Sequence, residues 1–380
     1  MKILHISKFY FPYIGGTEQV ARDCVNALTD EYSQEVICFN HEKGDVVDYI
    51  DGVKITRVGC FAKISSQSLA LGYKKALFER FSTFAPDIVV FHYPNPFVAH
   101  YLLKILKRFP QCKLITYWHL DITKQKILGK FFKGQSYRLL DRSYKVVATS
   151  PNYIDGSEYL TAFRDKCTVV QNCANADRVT LTDAVIGRSA EIRRENEGRV
   201  ICFAVGRHVP YKGMEYLIRA GKLLDDGFRI YIGGEGPLTE SLKQLASGDG
   251  KIVFLGKLSD DELKAYLNAC DIFCFPSITK NEAFGLALAE AMSFSKPCVT
   301  FTIPGSGVNY VSLGGITGIE VPNADIVKYA EALRKLAGDA SLREAYGTAA
   351  ARRFNEHFTY DTFRRNIREL IKDSAQPEEV

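Results

Sequence analysis

The sequence predicts an α/β protein made of two Rossmann-like, doubly wound parallel-sheet domains that face a central cleft. Its 380 residues fit two domains better than one, at roughly 100–200 residues per domain. Short apolar runs alternate with amphipathic helical stretches, which is the pattern of parallel βαβ units. The alternation breaks once and then begins again, so we place the domain boundary at the break.

The first series, residues 1–177, predicts the N-terminal domain. Its strand candidates are Lys2–Ser7, Glu35–Asn40, Ile88–His92, Lys113–Trp118 and Val146–Ser150. Helical patterns lie between them at Glu18–Thr29, Ser68–Phe84 and Phe97–Phe109. Residues 178–198 are polar and charged without a sustained apolar run, and we interpret them as the interdomain linker.

The second series, residues 199–359, predicts the C-terminal domain. Its strand candidates are Val200–Gly206, Arg229–Gly233, Ile252–Leu255, Ile272–Pro276 and Pro297–Phe301. Its helical patterns are Met214–Leu224, Pro237–Ala246, Ser259–Cys270, Phe284–Ser293 and Val327–Leu336. A charged amphipathic helix over 360–375 follows, and we expect it to pack back on the first domain. Because doubly wound sheets bind ligands at the carboxyl ends of their strands, functional side chains should follow strands directly.

The composition argues against several classes of protein. A net charge of +5 is small for a nucleic-acid-binding protein, which usually carries a strongly basic patch. The ten cysteines include no Cys-x-x-Cys pair. Six of them lie in apolar runs, as buried thiols do, which indicates a reduced, cytoplasmic protein. No apolar run reaches the ~20 residues of a membrane span. Any membrane contact should therefore be peripheral.

Residues 124–145 form the most basic stretch, with seven Lys and Arg residues against one acid, Asp141. Phe131, Phe132 and Tyr137 are interleaved with these bases. An anionic membrane surface attracts a basic helix of this kind. A solvated helix face with a few core aromatics has the same composition, so both interpretations stay open here.

The most specific motif is a pair of acids, Glu282 and Glu290, separated by seven residues. Glu290 lies on an otherwise apolar helix, where burying a carboxylate is costly unless it has a partner. Glu282 lies in the loop before that helix, and the free N–H groups of a helix start attract anions. A diphosphate bound there would place a sugar near Glu282 and a ribose near Glu290.

A second motif follows the strand that begins at Val200 and reads Gly206-Arg-His-Val-Pro-Tyr-Lys-Gly213. Arg207 stands at the strand end, and Lys212 opens the next helix. Arg offers a planar fork and Lys a compact charge, and both suit a diphosphate. Negative charge grows on a departing nucleoside diphosphate, and fixed cations stabilise it as a metal ion otherwise would.

Weaker signals follow strands of the N-terminal domain. Gly15 and Gly16 lie between the first strand and the first helix, where a backbone without side chains approaches a ligand closely. His119 directly follows a strand and is placed to contact a sugar hydroxyl, with Asp121 in support. His92, at the end of another strand, is a weaker candidate for a residue that lines the binding site of a second substrate, the acceptor.

In the C-terminal domain, Gly234 and Leu258 also come after strands, and we assign both to the donor-binding residues. The Gly-rich loop Pro304–Asn309 is expected near the transferred sugar. The sequence contains no Asp-x-Asp, no Walker-type phosphate loop and no dinucleotide fingerprint. We therefore expect no metal ligand set and no cofactor, since a nucleotide-sugar would be a substrate.

Together these motifs resemble glycosyltransferase family 4, a group of retaining enzymes with the GT-B fold, over nearly the whole chain. The matching segments are Gly15-Gly16, His119, Val170–Asn175, Gly206–Gly213, Gly234–Pro237 and Glu282–Glu290.

The resemblance implies roles for individual residues. Residues at the positions of Arg207 and Lys212 hold the diphosphate, and the one at Glu290 binds the ribose. Those at Glu282 and His119 contact the transferred sugar. Main-chain groups around Phe284, Gly285 and Leu286 assist. The family needs no metal, keeps the anomeric configuration and is thought to substitute on one face, with the leaving phosphate helping to deprotonate the acceptor.

One loop departs from the common family pattern. Many members carry Gly-Gly-x-x-Glu where this chain reads Ile303–Tyr310, and this version resembles the loop of bacterial surface-polysaccharide mannosyltransferases. It favours GDP-mannose as donor and a saccharide or lipid-linked oligosaccharide, as in O-antigen synthesis, as acceptor. Residues 124–145 would then contact the inner face of a membrane.

Other functions stay open at this point. One alternative is a UDP-sugar donor within the same family, and another is a nucleotide-sugar-binding subunit that performs no transfer. A nucleotide-sugar 2-epimerase shares the two-domain plan. An oxidoreductase is disfavoured because the dinucleotide fingerprint is missing.

Overall fold

The computed structural model describes residues 1–13, 15–64, 67–122 and 128–376. The chain divides into two compact units. Unit 1 comprises residues up to 171 together with the C-terminal segment from 363, and unit 2 comprises residues 172–362. The prediction of two Rossmann-like domains is confirmed, since each unit is built around a mainly parallel sheet.

Unit 1 contains strands β1 (Lys2–Ile6), β2 (Ser33–Phe39), β3 (Val46–Ile50), β4 (Val53–Val58), β5 (Ala62–Ile64), β6 (Gln67–Leu69), β7 (Ile88–Tyr93), β8 (Lys113–Trp118), β9 (Lys145–Ala148) and β10 (Cys167–Val169). Its first helices are α1 (Gly16–Leu28), α2 (Tyr73–Thr83), α3 (Pro96–Leu106), α4 (Leu128–Arg142) and α5 (Pro151–Gly156). Within the described residues, eight strands form one sheet in the order β10-β9-β8-β7-β1-β2-β4-β3. Only β3 runs antiparallel to its neighbour in that sheet.

Two predictions for unit 1 were wrong in detail. The helix expected over Ser68–Phe84 begins only at Tyr73, because residues 67–69 pair with β5 as a short strand. The β3–β4 hairpin was missed because β3 lies at the sheet edge and exposes much of its apolar surface. Val47 and Tyr49 are 55% and 69% exposed, so no buried apolar run marked this strand.

Unit 2 contains helices α6 (Ala176–Val179), α7 (Asp183–Glu195), α8 (Met214–Gly221), α9 (Thr239–Ala246), α10 (Asp260–Ala269), α11 (Leu286–Ser293), α12 (Val308–Val311), α13 (Ile326–Gly338) and α14 (Ala340–His357). Its strands are β11 (Val200–Val205), β12 (Phe228–Gly233), β13 (Ile252–Gly256), β14 (Ile272–Phe275), β15 (Cys298–Phe301) and β16 (Gly318–Val321). These strands form a parallel sheet in the order β13-β12-β11-β14-β15-β16.

The linker predicted over 178–198 is instead part of unit 2, and that prediction was wrong. Thr182 caps α7 by accepting a hydrogen bond from Val185 N, at 3.3 Å. Val185, Ser189 and Ile192 are buried along one side of the helix, and α7 packs against α10. Because only this narrow stripe is buried, the rest of the helix is solvated and its composition resembles that of a linker.

The chain closes with helix α15 (Tyr360–Ala375), which lies with unit 1 from Phe363 onward. Arg364 pairs with Asp30 at 2.7 Å, and Arg368 Nε donates to the carbonyl of Ala27 at 2.9 Å. In the described ranges, no helix has the length and hydropathy that a membrane span needs.

Each sheet has one topological switch point, where successive strands stop being added on one side of the first strand and begin to be added on its other side. In unit 1 this point lies between β1 and β7, and in unit 2 it lies between β11 and β14. The loops leaving the carboxyl ends of two such strands diverge and leave a crevice that binds ligands in folds of this class. Arg207, Lys212 and Glu282 lie in the loops of unit 2 at this point, whereas His119 follows β8, the neighbour of β7.

Candidate active site

The strand order of unit 2 brings together two motifs that are distant in the sequence. Arg207 and Lys212 follow β11, and Glu282 follows β14, which is the direct neighbour of β11. All three residues therefore lie at the switch point of the sheet.

Lys212 and Glu282 form a mostly buried ion pair between Nζ and Oε2. Their side chains are only 15% and 11% exposed. The Ser277 hydroxyl also donates to Oε2 of Glu282, at 3.3 Å. Burial disfavours the charge of Lys212, but the adjacent carboxylate outweighs it and raises the pKa of Lys212. Lys212 is thus a fixed cation with its counter-ion already in place.

Arg207 differs from Lys212 in its surroundings, because its side chain is exposed. Among the described residues it has no ion-pair partner. This edge of the sheet therefore has an exposed guanidinium that can bind an incoming anion and a buried ammonium that already has a counter-ion.

The loop that carries Glu282 is held by the Gly-rich loop after β15. The Ser306 hydroxyl donates to the carbonyl of Glu282, and Gly307 N donates to the carbonyl of Ala283 at 3.1 Å. Asn309 in turn fastens this loop to β15 through the carbonyl of Phe301. The predicted sugar-facing loop Pro304–Asn309 therefore positions Glu282 through its backbone, a role that the sequence did not indicate.

Helix α11 begins at Leu286, four residues after Glu282. Gly285 precedes it with a φ of +94°, a left-handed conformation that favours glycine. Phe284 is only 3% exposed, so this segment can offer a ligand its main chain but not the Phe284 ring. The role in donor binding that the resemblance implies for the main chain of Phe284, Gly285 and Leu286 stays a prediction.

The predicted donor-binding residues Gly234 and Leu258 follow β12 and β13, and Gly234 lies against the carbonyl at the start of the Arg207 loop. Gly234 has a φ of +104°, and a Cβ there would lie 2.1 Å from the carbonyl oxygen of Gly206. Leu258 packs on Gly233, where an added Cβ would lie 2.8 Å from its Cδ1. Gly234 therefore shapes the start of the Arg207 loop, Leu258 packs on the end of β12, and the contact of both residues with a donor stays a prediction.

Glu290 is buried on α11 and pairs with Arg178, a residue that the sequence analysis placed in a linker. Nε and Nη2 of Arg178 both lie 3.0 Å from Oε1 of Glu290. Nη1 of Arg178 also contacts Asp260 at 3.2 Å. Burial raises the pKa of Glu290, and the guanidinium opposes that shift. Since the fork engages Oε1, Oε2 is left to accept hydrogen bonds from a ligand.

In unit 1, His119 lies at the carboxyl end of β8 and stacks within a row of rings. Its centroid is 4.7 Å from that of Tyr117 and 5.2 Å from that of His92. His92 Nδ1 lies 3.0 Å from Nε2 of His119. Burial lowers the pKa of His119 to about 3. The ring is therefore neutral near pH 7.

Asp121 has internal partners rather than a direct bond to His119 among the hydrogen bonds of the described residues. Its Oδ1 accepts from Trp118 Nε1 and from the Ser157 hydroxyl, each at 2.8 Å. Its backbone N–H donates to the Tyr153 hydroxyl at 2.8 Å. These bonds fix the loop after β8, so Asp121 supports His119 by holding its backbone.

Gly15 and Gly16 lie where the sequence placed them, at the start of α1. Gly15 is the N-cap residue, and a Cβ there would lie 2.4 Å from Oε2 of Glu18. Glu18 is buried, and burial raises its pKa. The glycine thus leaves room for a carboxylate at this helix start, a neighbour that the sequence analysis did not single out.

The basic stretch 124–145 is described only in part, since 124–127 lie outside the described residues. Phe132 is buried, and the Tyr137 ring packs at a tilt against the Tyr159 ring, with centroids 5.7 Å apart. Lys133 pairs with Glu158 at 3.0 Å, and Arg142 donates to the carbonyl of Cys112 at 2.9 Å. In the described part of α4, aromatic rings and several cations have partners inside unit 1. The expected membrane contact stays a prediction.

Two Rossmann-like units are the plan of a GT-B glycosyltransferase, and the exposed arginine, the buried lysine–glutamate pair and the strand-end histidine are residues of the types expected in such an enzyme. Comparison with known proteins agrees. A family model described as Glycosyltransferase Family 4 matches residues 14–178, and one described as Glycosyl transferases group 1 matches residues 186–353. The chain belongs to glycosyltransferase family 4, and the predicted enzyme class is confirmed.

Two relatives match nearly the whole chain. D-rhamnosyltransferase WbpZ of Pseudomonas aeruginosa is 29% identical over 94% of this chain and 92% of its own. O-antigen chain mannosyltransferase C of Escherichia coli is 30% identical over 95% of each chain. Among solved structures, sucrose-phosphate synthase from Thermosynechococcus elongatus aligns with a TM-score of 0.80 over 98% of both chains. At 16% identity, that likeness shows the fold alone.

Proposed function

We propose that this enzyme transfers mannose from GDP-mannose, with retention of configuration and without a metal ion. The acceptor is a saccharide or lipid-linked oligosaccharide in the synthesis of a bacterial surface polysaccharide of O-antigen type. The observation that carries the proposal is the cluster of Arg207, Lys212 and Glu282 at the switch point of unit 2.

In the proposed reaction, Arg207 and Lys212 bind the diphosphate and stabilise the charge that it gains as the glycosidic bond to phosphate breaks. Two fixed cations at this edge supply the stabilisation that a metal ion supplies in other transferases. Glu290 accepts hydrogen bonds from the ribose hydroxyls through Oε2, while Arg178 holds Oε1.

Retention follows in this proposal from attack on the face that the diphosphate leaves. Glu282 already shares Oε2 with Lys212 and Ser277, so we assign it to holding the transferred sugar rather than to nucleophilic attack. The leaving phosphate oxygen takes the proton of the acceptor hydroxyl. His119 contributes a neutral hydrogen-bonding group to the sugar, and no charged base is required of unit 1.

The choice of donor and acceptor is supported by the mannosyltransferase relative from Escherichia coli and by the departure of the loop Ile303–Tyr310. The protein is incubated with GDP-mannose, UDP-glucose or UDP-galactose, and both release of free sugar and the melting temperature are measured. Bound donor stabilises the native state, so GDP-mannose is expected to raise the melting temperature most. EDTA should leave hydrolysis unchanged.

Three outcomes contradict parts of this proposal. Preference for a UDP-sugar assigns the chain to another donor in the same family. Binding of a nucleotide-sugar without hydrolysis, unaffected by Glu282→Ala, indicates a non-transferring subunit. Conversion of the sugar on its nucleotide indicates an epimerase. With an acceptor in hand, NMR of the product linkage tests retention, since inversion would give the β anomer.

A further inference from the structure

A row of buried histidines leads from the interior of unit 1 to the carboxyl edge of its sheet. His5 lies on β1, His92 on β7 and His119 directly after β8. The ring centroids of His5 and His92 are 6.4 Å apart, and those of His92 and His119 are 5.2 Å apart. His5 and His92 are 0% and 1% exposed, whereas His119 keeps 6%. His119 is therefore the most accessible member of the row.

The hydrogen bond between His92 and His119 contains a single proton. Burial lowers the pKa of His5 to about 4 and of His119 to about 3, and it lowers that of His92 well below the usual value. Each ring is therefore neutral at pH 7 and carries one N–H and one bare nitrogen. The 3.0 Å contact joins Nδ1 of His92 to Nε2 of His119, so one of these atoms donates and the other accepts.

The surroundings of the second nitrogen of His92, Nε2, decide which of the two atoms donates. Nε2 of His92 is buried and has no protein partner among the described residues. If His92 carried its proton there, the N–H would be buried without an acceptor, which is costlier than leaving a bare nitrogen unpaired. The proton of His92 is therefore assigned to Nδ1.

His5 provides an independent example of the same rule within this row. Gln34 Nε2 donates to the carbonyl of Val25 at 3.0 Å, which turns Oε1 of Gln34 toward His5. Oε1 lies 2.9 Å from Nε2 of His5, so His5 must donate from that atom. Its other nitrogen, Nδ1, is buried and unpartnered. The nitrogen without a partner is again the bare one.

We propose that His92 is a positioning residue that donates Nδ1–H to Nε2 of His119 and thereby fixes His119 as its Nδ1–H tautomer. His119 then presents a hydrogen-bond donor, not an acceptor, to a hydroxyl oxygen of the transferred sugar. The identity of that partner rests on the proposed function, but the tautomer does not. Unlike His5 and His92, each of which has a buried nitrogen without a partner among the described residues, His119 keeps 6% exposure.

Nitrogen NMR tests the tautomer on the ligand-free protein. The full chain is labelled with ¹⁵N-histidine, His119 is assigned from the resonances lost in His119→Gln, and long-range proton–nitrogen correlations identify the protonated nitrogen. Nδ1–H is expected for His119 in the wild type at pH 7. An Nε2–H tautomer for His119 overturns the proposal without reference to any activity.

Three variants separate positioning from general packing. His92→Leu removes the ring donor, His92→Asn keeps an amide N–H near the place of Nδ1, and His5→Leu removes an equally buried ring that does not bind His119. In His92→Leu we expect His119 to populate both tautomers and kcat/KM for donor hydrolysis to fall about tenfold, as for loss of one hydrogen bond. His92→Asn should restore the Nδ1–H tautomer and most of that loss.

Two results with these variants would overturn the proposal. An equal loss of kcat/KM and the same tautomer mixture in His5→Leu would mean that packing alone is responsible, and the proposal fails. An unchanged His119 spectrum in a folded His92→Leu variant also overturns the proposal. If that variant does not fold, the tautomer of His119 in the wild type and in His92→Asn still tests the proposal. Failure of every nucleotide-sugar to turn over counts against the proposed function only.

Discussion

Both units place candidate functional residues near the carboxyl ends of strands, but the acids of unit 2 are paired charges, whereas His119 of unit 1 is neutral. At the switch point of unit 2, every acid that we assign to the donor has a basic partner: Glu282 has Lys212, and Glu290 has Arg178. At the edge of unit 1, His119 is neutral and contacts another neutral ring. Position within a doubly wound sheet therefore does not determine the charge of a site. The paired charges of unit 2 suit an anionic ligand group, whereas the neutral ring of His119 suits an uncharged hydroxyl.

The two arrangements also respond differently to loss of a partner. A buried ion pair that loses one member leaves an uncompensated charge, whereas a neutral hydrogen bond that loses one member leaves at most an unpaired dipole. Substitutions in unit 2 should therefore affect stability and activity together when the residue is buried and paired. In unit 1 they should mainly affect the orientation of His119.

The largest effect is expected for Lys212→Met, which leaves Glu282 buried and unpaired. Removing one partner of a buried pair costs about 3–5 kcal/mol of stability, and loss of a diphosphate cation should lower turnover roughly 10²–10³-fold. Calorimetric unfolding and donor hydrolysis measure the two effects. The double variant Lys212→Met with Glu282→Gln should recover stability without recovering activity. An unchanged melting temperature in the single variant would mean that the pair is not buried in solution.

Arg207→Gln should separate activity from stability, because Arg207 is exposed. We expect a roughly 10²-fold loss of kcat/KM, since a transition-state cation is removed, and a melting temperature within error of the wild type. Added Mg²⁺ should not restore activity. Full activity of a variant lacking both Arg207 and Lys212 would refute the assignment of the diphosphate site.

A smaller effect is expected for Arg178→Gln, which removes the guanidinium that counteracts the effect of burial on the pKa of Glu290. The pKa of Glu290, already raised by burial, should rise further. Because only the carboxylate accepts from both ribose hydroxyls, affinity for GDP should fall about tenfold at pH 7 and fall again as the pH is lowered. Isothermal titration calorimetry at pH 7.5 and 6 measures this. Arg193→Gln is the control, since Arg193 pairs with Asp271 instead, and an equal loss there would refute the role of Arg178.

A pH dependence of stability that differs between the units is expected as well. The pKa values of His5 and His119 are lowered on folding to about 4 and about 3, so the unfolded chain takes up protons first. Their stabilising contribution is present above about pH 6.5 and is lost as the pH falls, by up to about 1.4 kcal/mol per pH unit for each ring. Glu290 has a raised pKa, so its contribution in unit 2 has the opposite sign and grows as the pH falls.

Trp118 allows this difference to be measured, because it is the single tryptophan of the chain and lies buried in unit 1. Urea unfolding followed by its fluorescence from pH 7 to 4.5 reports unit 1. The slope with pH should be shallower in His5→Leu. An equal slope in that variant would show that His5 is protonated in the folded protein.

Most strands of both sheets, and the positions of Arg207, Lys212, Glu282 and His119, were predictable from the sequence alone. Each depends on a local signal, either an apolar run of strand length or a polar residue directly after one. The edge strand β3 and helix α7 were not predictable in this way, because an exposed edge and a narrow buried stripe leave little contrast in the sequence. That is why residues 178–198 resembled a linker.

Local chemistry along the chain determined that this protein has two βα series and that cations, acids and a histidine stand at strand ends. Only the tertiary structure decided their partners. Arg178 and Glu290 are 112 residues apart, and His92 and His119 are 27 apart, yet each pair is joined by strand order and helix packing. Pairing and burial determine protonation, because both depend on what lies around a group in space, and no stretch of sequence contains that information.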